Sequence, residues 1–276
     1  LAADRVQISG ARGYPAPAEY KVSATWADGF RGGQVLLFYG FEADRKARRF
    51  AEVALERARA RLSQSKLEDF SETCIELVGD ESYYGSRRQV RDSREVMLKI
   101  AARHSDSKAL NILFREIIGM ALGGPPGLTG FAGGRPKPSP VVRLFSFTHP
   151  KDAIEVVVRC GDQQWIVKDH VPGEVFNLAA IERPAEPTAP AEDRERVEIP
   201  LIRLAFGRSG DKGDKANIGI VAREPGYLPW IWAALTEQAV ADCFGHFLQG
   251  KVERFYLPGS SSINFLLHEV LGGGGL

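Results

Sequence analysis

The sequence predicts an α/β (α+β) main domain with a mixed sheet, followed by a smaller α+β domain. Strand-like apolar runs alternate with segments of helical periodicity, and the 276 residues fit two cores at about one domain per 150 residues. Residues 184–198, PAEPTAPAEDRERVE, have the composition of an exposed linker. We therefore expect a main domain at 1–183, a linker at 184–198 and a second domain at 199–276.

The elements of the main domain follow from local patterns. Short runs rich in β-branched and aromatic residues predict strands, and apolar residues at three- and four-residue spacings predict helices. Asp44 is the expected N-cap of the first helix, and Asp92 or Ser93 that of the second. The predicted strands are 4–9, 20–26, 33–41, 70–78, 141–149, 153–160 and 163–169, and the predicted helices are 45–63, 93–103 and 106–122.

Two segments of this domain have both a structural and a functional interpretation. The arginines of helix 45–63 are interpreted as a solvated face, because Glu52 and Glu56 lie at pairing distance from them, and a polyanion-binding helix is the alternative. Residues 123–140 contain six glycines and five prolines. A structured crossover or lid is favoured there over a phosphate cradle, since the Lys-Ser/Thr of a P-loop is missing.

The second domain is predicted as strand 199–206, strand 217–222, helix 228–244, strand 251–257 and helix 261–271. This ββαβα order suggests an incomplete ferredoxin-like α+β sandwich. Aromatic residues cluster at 227–232, where Tyr227, Trp230, Ile231 and Trp232 form either part of the core or a protein interface.

The segment RSGDKGDKANIG, residues 208–219, is the main functional-site candidate. It is predicted as a polar loop longer than a simple hairpin requires, with glycines that expose backbone N–H groups. Arg208, Ser209, Lys212 and Asn217 are the expected ligand-binding residues, and they suit a carboxylate or phosphate. Asp211 and Asp214 are the candidates for proton exchange. A divalent metal at the two aspartates and a self-satisfied loop are the alternatives.

Composition excludes several other classes of function. The formal charge of +1 gives no field that would attract nucleic acid or an anionic membrane. Cys74, Cys160 and Cys243 lack the spacing of a metal site or a disulfide framework. We expect no metal and no resident cofactor. With no apolar span or export signal, we expect a cytoplasmic protein.

Histidine gives no stronger signal. Each of the five histidines lacks a partner fixed by sequence, and no catalytic motif surrounds His104, His149, His170, His246 or His268.

Three segments in order resemble the acyclic terpene utilisation (AtuA-type) family. They are SGARGYPAPAEYKVSATWADGFRGG at 9–33, PPGLTGFAGGRPKPSPVVRLFSF at 125–147 and RSGDKGDKANIGIVAR at 208–223, followed by YLPG and INFLL. The last motif is the most specific, because that family's small ferredoxin-like domain carries a motif with the same Arg-Ser-Gly-Asp-Lys-Gly start and Asn-Ile-Gly finish. Family members begin with a large Gly-rich α/β region that does not precede Leu1. Whether an N-terminal region is missing stays open. Whether the chain forms a homo-oligomer is a separate open question.

The resemblance implies catabolism of branched, terpene-derived acids as coenzyme A thioesters. The first hypothesis is a protein that acts on a branched acyl-CoA or related organic acid in a lyase- or hydratase-like step. The second is a non-catalytic assembly or binding subunit of an acyl-CoA carboxylase-type complex. The resemblance does not fix which of the two holds, and the sequence names no reaction.

Overall fold

The computed structural model describes residues 5, 7–11, 13, 15–130, 134–167, 177–188, 190–191 and 197–272. These residues contain eleven strands and five α-helices. In chain order they are β1 Glu19–Tyr39, α1 Ala43–Gln64, β2 Glu72–Val78, β3 Glu95–His104, α2 Ser107–Ala121, β4 Leu128–Thr129, β5 Ser139–Pro150, β6 Val156–Cys160, β7 Gln163–Val167, α3 Leu201–Leu204, β8 Ala205–Lys212, β9 Lys215–Ala222, α4 Leu228–Ala234, α5 Glu237–Phe244, β10 Val252–Leu257 and β11 Ser262–His268.

The first sheet has the strand order β2-β3-β1-β4, with β5 also paired to β1. Among the described residues, neighbouring strands of this sheet pair antiparallel. Helices α1 and α2 cover one face and bury a core of aliphatic and aromatic side chains. From β1 to β4 the elements form a βαββαβ unit, the split β-α-β arrangement. The predicted α+β architecture is confirmed.

Alanines bring helix α1 close to the sheet. Ala47, Ala51, Ala54 and Ala58 are fully buried along one side of the helix, and small side chains on that side permit close packing. Asp44 lies in the first turn of α1, while the N-cap is Glu42. Asp106 caps α2 by accepting a hydrogen bond from the Lys108 backbone N–H at 2.8 Å.

The predicted helix at 93–103 is wrong, because these residues form β3. Every second residue of β3 is buried in the core, namely Val96, Leu98, Ile100 and Ala102. The residues between them lie on the opposite face of the sheet, and this alternation is the period of a strand. β3 pairs with β1 on one side and β2 on the other, so every backbone group in its middle has a ladder partner.

Two predicted strands, 20–26 and 33–41, form the single strand β1, which has an irregularity between Ala27 and Phe30. The N-terminal half of β1 pairs with β5, and its C-terminal half pairs with β3. The described residues of the predicted strand 4–9 are in no regular element. Strands β6 and β7 form a separate hairpin, and residues 168 and 169 of the predicted strand 163–169 lie outside the described residues.

The second sheet has the order β10-β11-β9-β8 and packs one face against α4 and α5. Its core contains Ile220, Ile231, Ile263, Phe265 and Leu267. The predicted helix 261–271 is wrong, because Ser262–His268 is the central strand β11. The predicted helix 228–244 is two helices that part at Leu235, and Thr236 caps α5 through the Ala239 N–H at 3.1 Å.

Candidate functional site

The RSGDKGDKANIG segment is a β-hairpin rather than a long loop. Strands β8 and β9 continue through it as far as Lys212 and Lys215, so only Gly213 and Asp214 make the turn. Gly213 has a φ of 60°, which suits the first position of a type II′ turn. The prediction of an extended polar loop is wrong because β8 is an edge strand, where charged side chains are compatible with sheet pairing.

Strand alternation divides the predicted site residues between two faces of the sheet. Residues directly opposite each other in an antiparallel pair share a face. The outer face, which points away from the helices, carries Arg208, Gly210 and Lys212 with their partners Gly219, Asn217 and Lys215. The inner face carries Ser209 and Asp211 with their partners Ile218 and Ala216. The structure thus brings Arg208, Lys212 and Asn217 onto one surface and places Ser209 and Asp211 on the opposite one.

A pair of asparagines lies at the centre of this outer face. The Asn217 Nδ2 donates to Asn264 Oδ1 of β11 at 3.1 Å. Gly210 makes room for Asn217, because a Cβ at Gly210 would lie 2.8 Å from Asn217 Oδ1. Gly219 lies between Arg208 and Asn264 in one cross-strand row, so no side chain stands between these two residues.

His268 and Lys215 extend the cation-bearing surface. They face each other across β9 and β11, beside Lys212 at the end of the hairpin. His268 Nε2 lies 2.6 Å from Glu253 Oε2, and Lys251 Nζ lies 3.1 Å from Glu253 Oε1. The hydrogen bonds from Lys251 and His268 hold the pKa of the Glu253 carboxyl below its usual value. We call Arg208, Lys212, Lys215, Asn217, Asn264 and His268 the hairpin cation face.

Neither aspartate of the motif lies on the hairpin cation face. Asp214 occupies the turn, where its Oδ1 accepts a hydrogen bond from the Leu271 N–H at 2.9 Å. Its carbonyl oxygen lies 3.4 Å from the Val270 nitrogen, so Asp214 anchors the segment after β11. Asp211 is exposed on the inner face. A proton-transfer role for these residues stays a prediction, and the geometry gives Asp214 a structural bond.

The charges of this face suit an anion. Within the described part of the chain, no carboxylate forms an ion pair with Arg208, Lys212 or Lys215. The same residues contain no group of three or more His, Cys, Asp or Glu side chains arranged to hold a metal ion. An unpaired guanidinium beside a side-chain amide donor is an arrangement that binds carboxylate or phosphate oxygens.

Comparison with known protein families identifies the chain. Residues 1–160 match the acyclic terpene utilisation family protein AtuA, and residues 199–276 match the AtuA ferredoxin-like domain. The chain belongs to the AtuA family. Membership connects it with acyclic terpene utilisation, a catabolic role, and makes the second domain ferredoxin-like. The comparisons with curated proteins and with solved structures found no match.

Two histidines of this AtuA-family chain make hydrogen bonds to backbone groups. His104 is buried, its Nδ1 accepts from the Asp106 N–H at 2.8 Å, and its Nε2 lies 3.1 Å from the Glu68 carbonyl oxygen. This set of partners fits a neutral imidazole that donates from Nε2. His246 Nε2 lies 2.7 Å from the Tyr83 carbonyl oxygen. His149 is on β5, and His170 lies outside the described residues.

The described thiols are free, and Cys74 is poorly suited to nucleophilic attack. Burial and the neighbouring Glu76 carboxylate raise the pKa of Cys74 to about 11, so it is protonated at neutral pH.

The aromatic cluster at 227–232 belongs mainly to the core. Ile231 and Trp232 are buried, while Tyr227 and Trp230 keep partial exposure. No described helix has the length and apolar character needed to cross a membrane.

Sequence reasoning missed Lys215, Asn264 and His268 as members of the face. The signal for the last two was present in SINFLLH, where Ile263, Phe265 and Leu267 alternate with other residues at a period of two. Once that segment is a strand next to β9, Asn264 and His268 lie beside the hairpin.

Proposed function

We propose that this AtuA-family chain holds the anionic part of a branched, terpene-derived acyl-CoA thioester or related acid on the hairpin cation face. One observation carries the proposal: Arg208, Lys212 and Lys215 share a face with Gly210 and Gly219 and have no carboxylate partner among the described residues. Three cations without partners leave a local positive charge in a chain whose formal charge is only +1.

The chemistry of these groups favours carboxylate or phosphate oxygens. The planar Arg208 guanidinium donates two parallel hydrogen bonds to such a group, and Lys212 contributes a mobile charge. Asn264 accepts from Asn217 through its oxygen, so its own NH₂ group stays available as a donor. Because the face is exposed, each contact contributes on the order of 1 kcal/mol or less. Binding should therefore weaken as salt increases.

The geometry favours binding over proton transfer at this face. A lyase- or hydratase-like step needs an acid or base within hydrogen-bond reach of the substrate. Asp211 is on the opposite face, and the Asp214 carboxylate accepts the Leu271 N–H. The proposal therefore assigns recognition to the hairpin cation face and assigns no proton transfer to Asp211 or Asp214.

Calorimetry with isovaleryl-CoA, coenzyme A and isovalerate tests the proposal. The double variant Arg208→Ala, Lys212→Ala should bind isovaleryl-CoA at least tenfold more weakly than the parent. Arg203→Ala is the matched control, since Arg203 is an exposed arginine of the same domain in α3. Equal affinity of the parent and the double variant would overturn the proposal. Comparison of the three ligands shows whether phosphate or carboxylate oxygens are recognised.

A second function, that of an assembly subunit, is favoured by one apolar row on the same sheet face. Phe206, Val221 and Leu257 are 54%, 42% and 45% exposed, and with Ser262 they form a row across all four strands. Phe206 and Val221 are direct cross-strand neighbours, and adjacent exposed apolar side chains are typical of protein interfaces. Sedimentation of the chain mixed with a purified acyl-CoA carboxylase subunit should show a joint species that Phe206→Ser abolishes. Independent sedimentation of the two proteins would refute this candidate.

A further inference from the structure

A groove in the first domain combines two segments that the hairpin does not use. One wall is the arginine-rich helix α1, and the other is the end of α2 with the first residues of the Gly- and Pro-rich segment 123–140. The groove has a volume of about 600 Å³, which is in the range of small-molecule sites. None of its lining residues comes from the second domain, so it shares no residue with the hairpin.

Among the described residues, the charged side chains that line the groove are all cationic. Arg45, Arg49 and Arg57 follow one another along α1 over about 18 Å, at 1.5 Å per residue. Their nearest carboxylate partners Glu42, Glu52 and Glu116 lie outside the lining, at 2.7, 3.5 and 2.8 Å, and Glu56 lies 3.6 Å from Arg49. Both side chains are exposed in the Arg45–Glu42 pair (78% and 63%) and in the Arg49–Glu52 pair (66% and 44%), and exposed ion pairs are weak, whereas Glu116 is only 12% exposed. An anionic ligand can therefore compete for the guanidinium groups of Arg45 and Arg49.

The floor of the groove is apolar. Phe50 is buried, and Val53 and Met120 are half-buried at its base. Lys46 has a different role from the arginines, since its Nζ donates to the Tyr39 and Pro126 carbonyl oxygens at 3.0 and 2.8 Å. These bonds tie the Gly-rich wall to α1. The groove thus combines a fixed wall, an apolar floor and a cationic rim.

Two glycines keep the groove open at positions where neither the backbone conformation nor a close contact requires glycine. Gly119 lies inside α2 and Gly123 follows it, and a Cβ atom at either position would meet nothing within 4 Å. Neither has a positive φ. Glycine is a poor helix former, so Gly119 costs α2 stability with no gain in local packing. Gly124 differs, because a Cβ there would lie 2.8 Å from Leu128 Cδ2.

We propose that this groove binds a chain-like amphipathic anion, namely an aliphatic carboxylate or its thioester. The hydrocarbon chain lies on Phe50, Val53 and Met120, and the anionic end pairs with Arg45 and Arg49 beside Gly123. The missing side chains of Gly119 and Gly123 give the chain its space. This site goes beyond the proposed function, since it shares no residue with the hairpin cation face.

Calorimetry with octanoate, octanol and acetate tests both halves of the site. Octanoate should bind at least tenfold more tightly than octanol, which lacks the charge, and than acetate, which lacks the chain. Gly119→Leu fills the groove and Arg49→Ala removes a cation, and each should weaken octanoate binding at least tenfold. Arg115→Leu is the matched control, because Arg115 is exposed on the same helix and does not line the groove. Gly119→Ala should raise the melting temperature, which shows that the position tolerates a side chain.

Further arms separate this site from the alternatives. The double variant Arg208→Ala, Lys212→Ala should bind octanoate as the parent does, so that a failure of the hairpin proposal leaves this one intact. Unchanged octanoate binding by a folded Gly119→Leu protein would overturn the inference. Sedimentation with vesicles of phosphatidylglycerol and phosphatidylcholine distinguishes a free aliphatic anion from a lipid surface. Vesicle binding without octanoate binding would also overturn it.

Discussion

Asn217 Oδ1 occupies the space above Gly210, where a Cβ atom would approach it to 2.8 Å. The same side chain donates to Asn264 at 3.1 Å, so the glycine lets an amide pair form between β9 and β11. This relationship fixes the surface between Arg208 and His268 on the hairpin cation face.

Gly210→Ala should therefore displace the Asn217 side chain and break its bond to Asn264. We expect a loss of about 1 kcal/mol in the free energy of unfolding, the usual net value of one hydrogen bond. Urea denaturation measures this loss. In an Asn217→Ala background the cost should fall, since the clash is removed. An equal cost in both backgrounds would contradict the explanation.

Asp214→Ala should destabilise the second domain by about 1 kcal/mol, because the Leu271 N–H loses its side-chain acceptor. Asp211→Ala is the control from the same hairpin and should change stability by less than about 0.5 kcal/mol, since Asp211 is exposed. Thermal and urea denaturation of the two variants provide the comparison. Equal stability of the two would show that the Asp214 bond does not anchor the segment after β11.

Gly85→Ala should be more harmful than an ordinary change at a positive φ. Gly85 has a φ of 54°, and a Cβ there would lie 2.7 Å from His246 Cγ. Gly161 is a matched control, because its φ of 57° imposes similar backbone strain while nothing lies within 4 Å of its Cβ position. We expect Gly85→Ala to cost at least about 1 kcal/mol more than Gly161→Ala in chemical denaturation. The excess should disappear in a His246→Ala background, and its persistence there would rule out the contact as its cause.

Glu76→Gln should show a pH-dependent loss of stability. Burial raises the pKa of the Glu76 carboxyl, but hydrogen bonds from Lys99 and Tyr83 outweigh burial and hold the pKa below 4.5. A depressed folded-state pKa stabilises the fold above the unfolded pKa and ceases to do so as pH falls through the folded pKa. The variant should be about 1 kcal/mol less stable than the parent at pH 7, with a difference that shrinks below pH 4.5. Urea denaturation across this range measures it, and a constant difference would contradict the assigned bonds.

Local patterns predicted the elements whose periodicity and propensity agree. Helices α1 and α2 have both apolar stripes and good helix formers, and the structure contains them. β3 has a strand period, yet its Met97, Leu98, Lys99, Ala101 and Arg103 are all good helix formers. Pairing with β1 and β2 decides its conformation, and those partners are distant in sequence.

Composition predicted the position of the candidate site in the chain but not its shape. Glycines and charges marked 208–219, whereas the separation of Arg208 from Asp211 follows from the alternation of side chains along β8, which is paired with β9. Asn217 and Asn264 are 47 residues apart, and no local pattern joins them. The groove could not be predicted for a similar reason. Arg57 and Gly119 line it from two different helices, and they come together only because α1 packs on α2.

Hydrogen exchange with and without saturating isovaleryl-CoA tests the hairpin cation face most directly. We expect slower exchange of backbone amides in residues 205–222 when the ligand is present, and no such slowing in the double variant Arg208→Ala, Lys212→Ala. Unchanged exchange at 205–222 in the saturated parent would contradict it, as would slowing confined to the groove at 43–57 and 119–125.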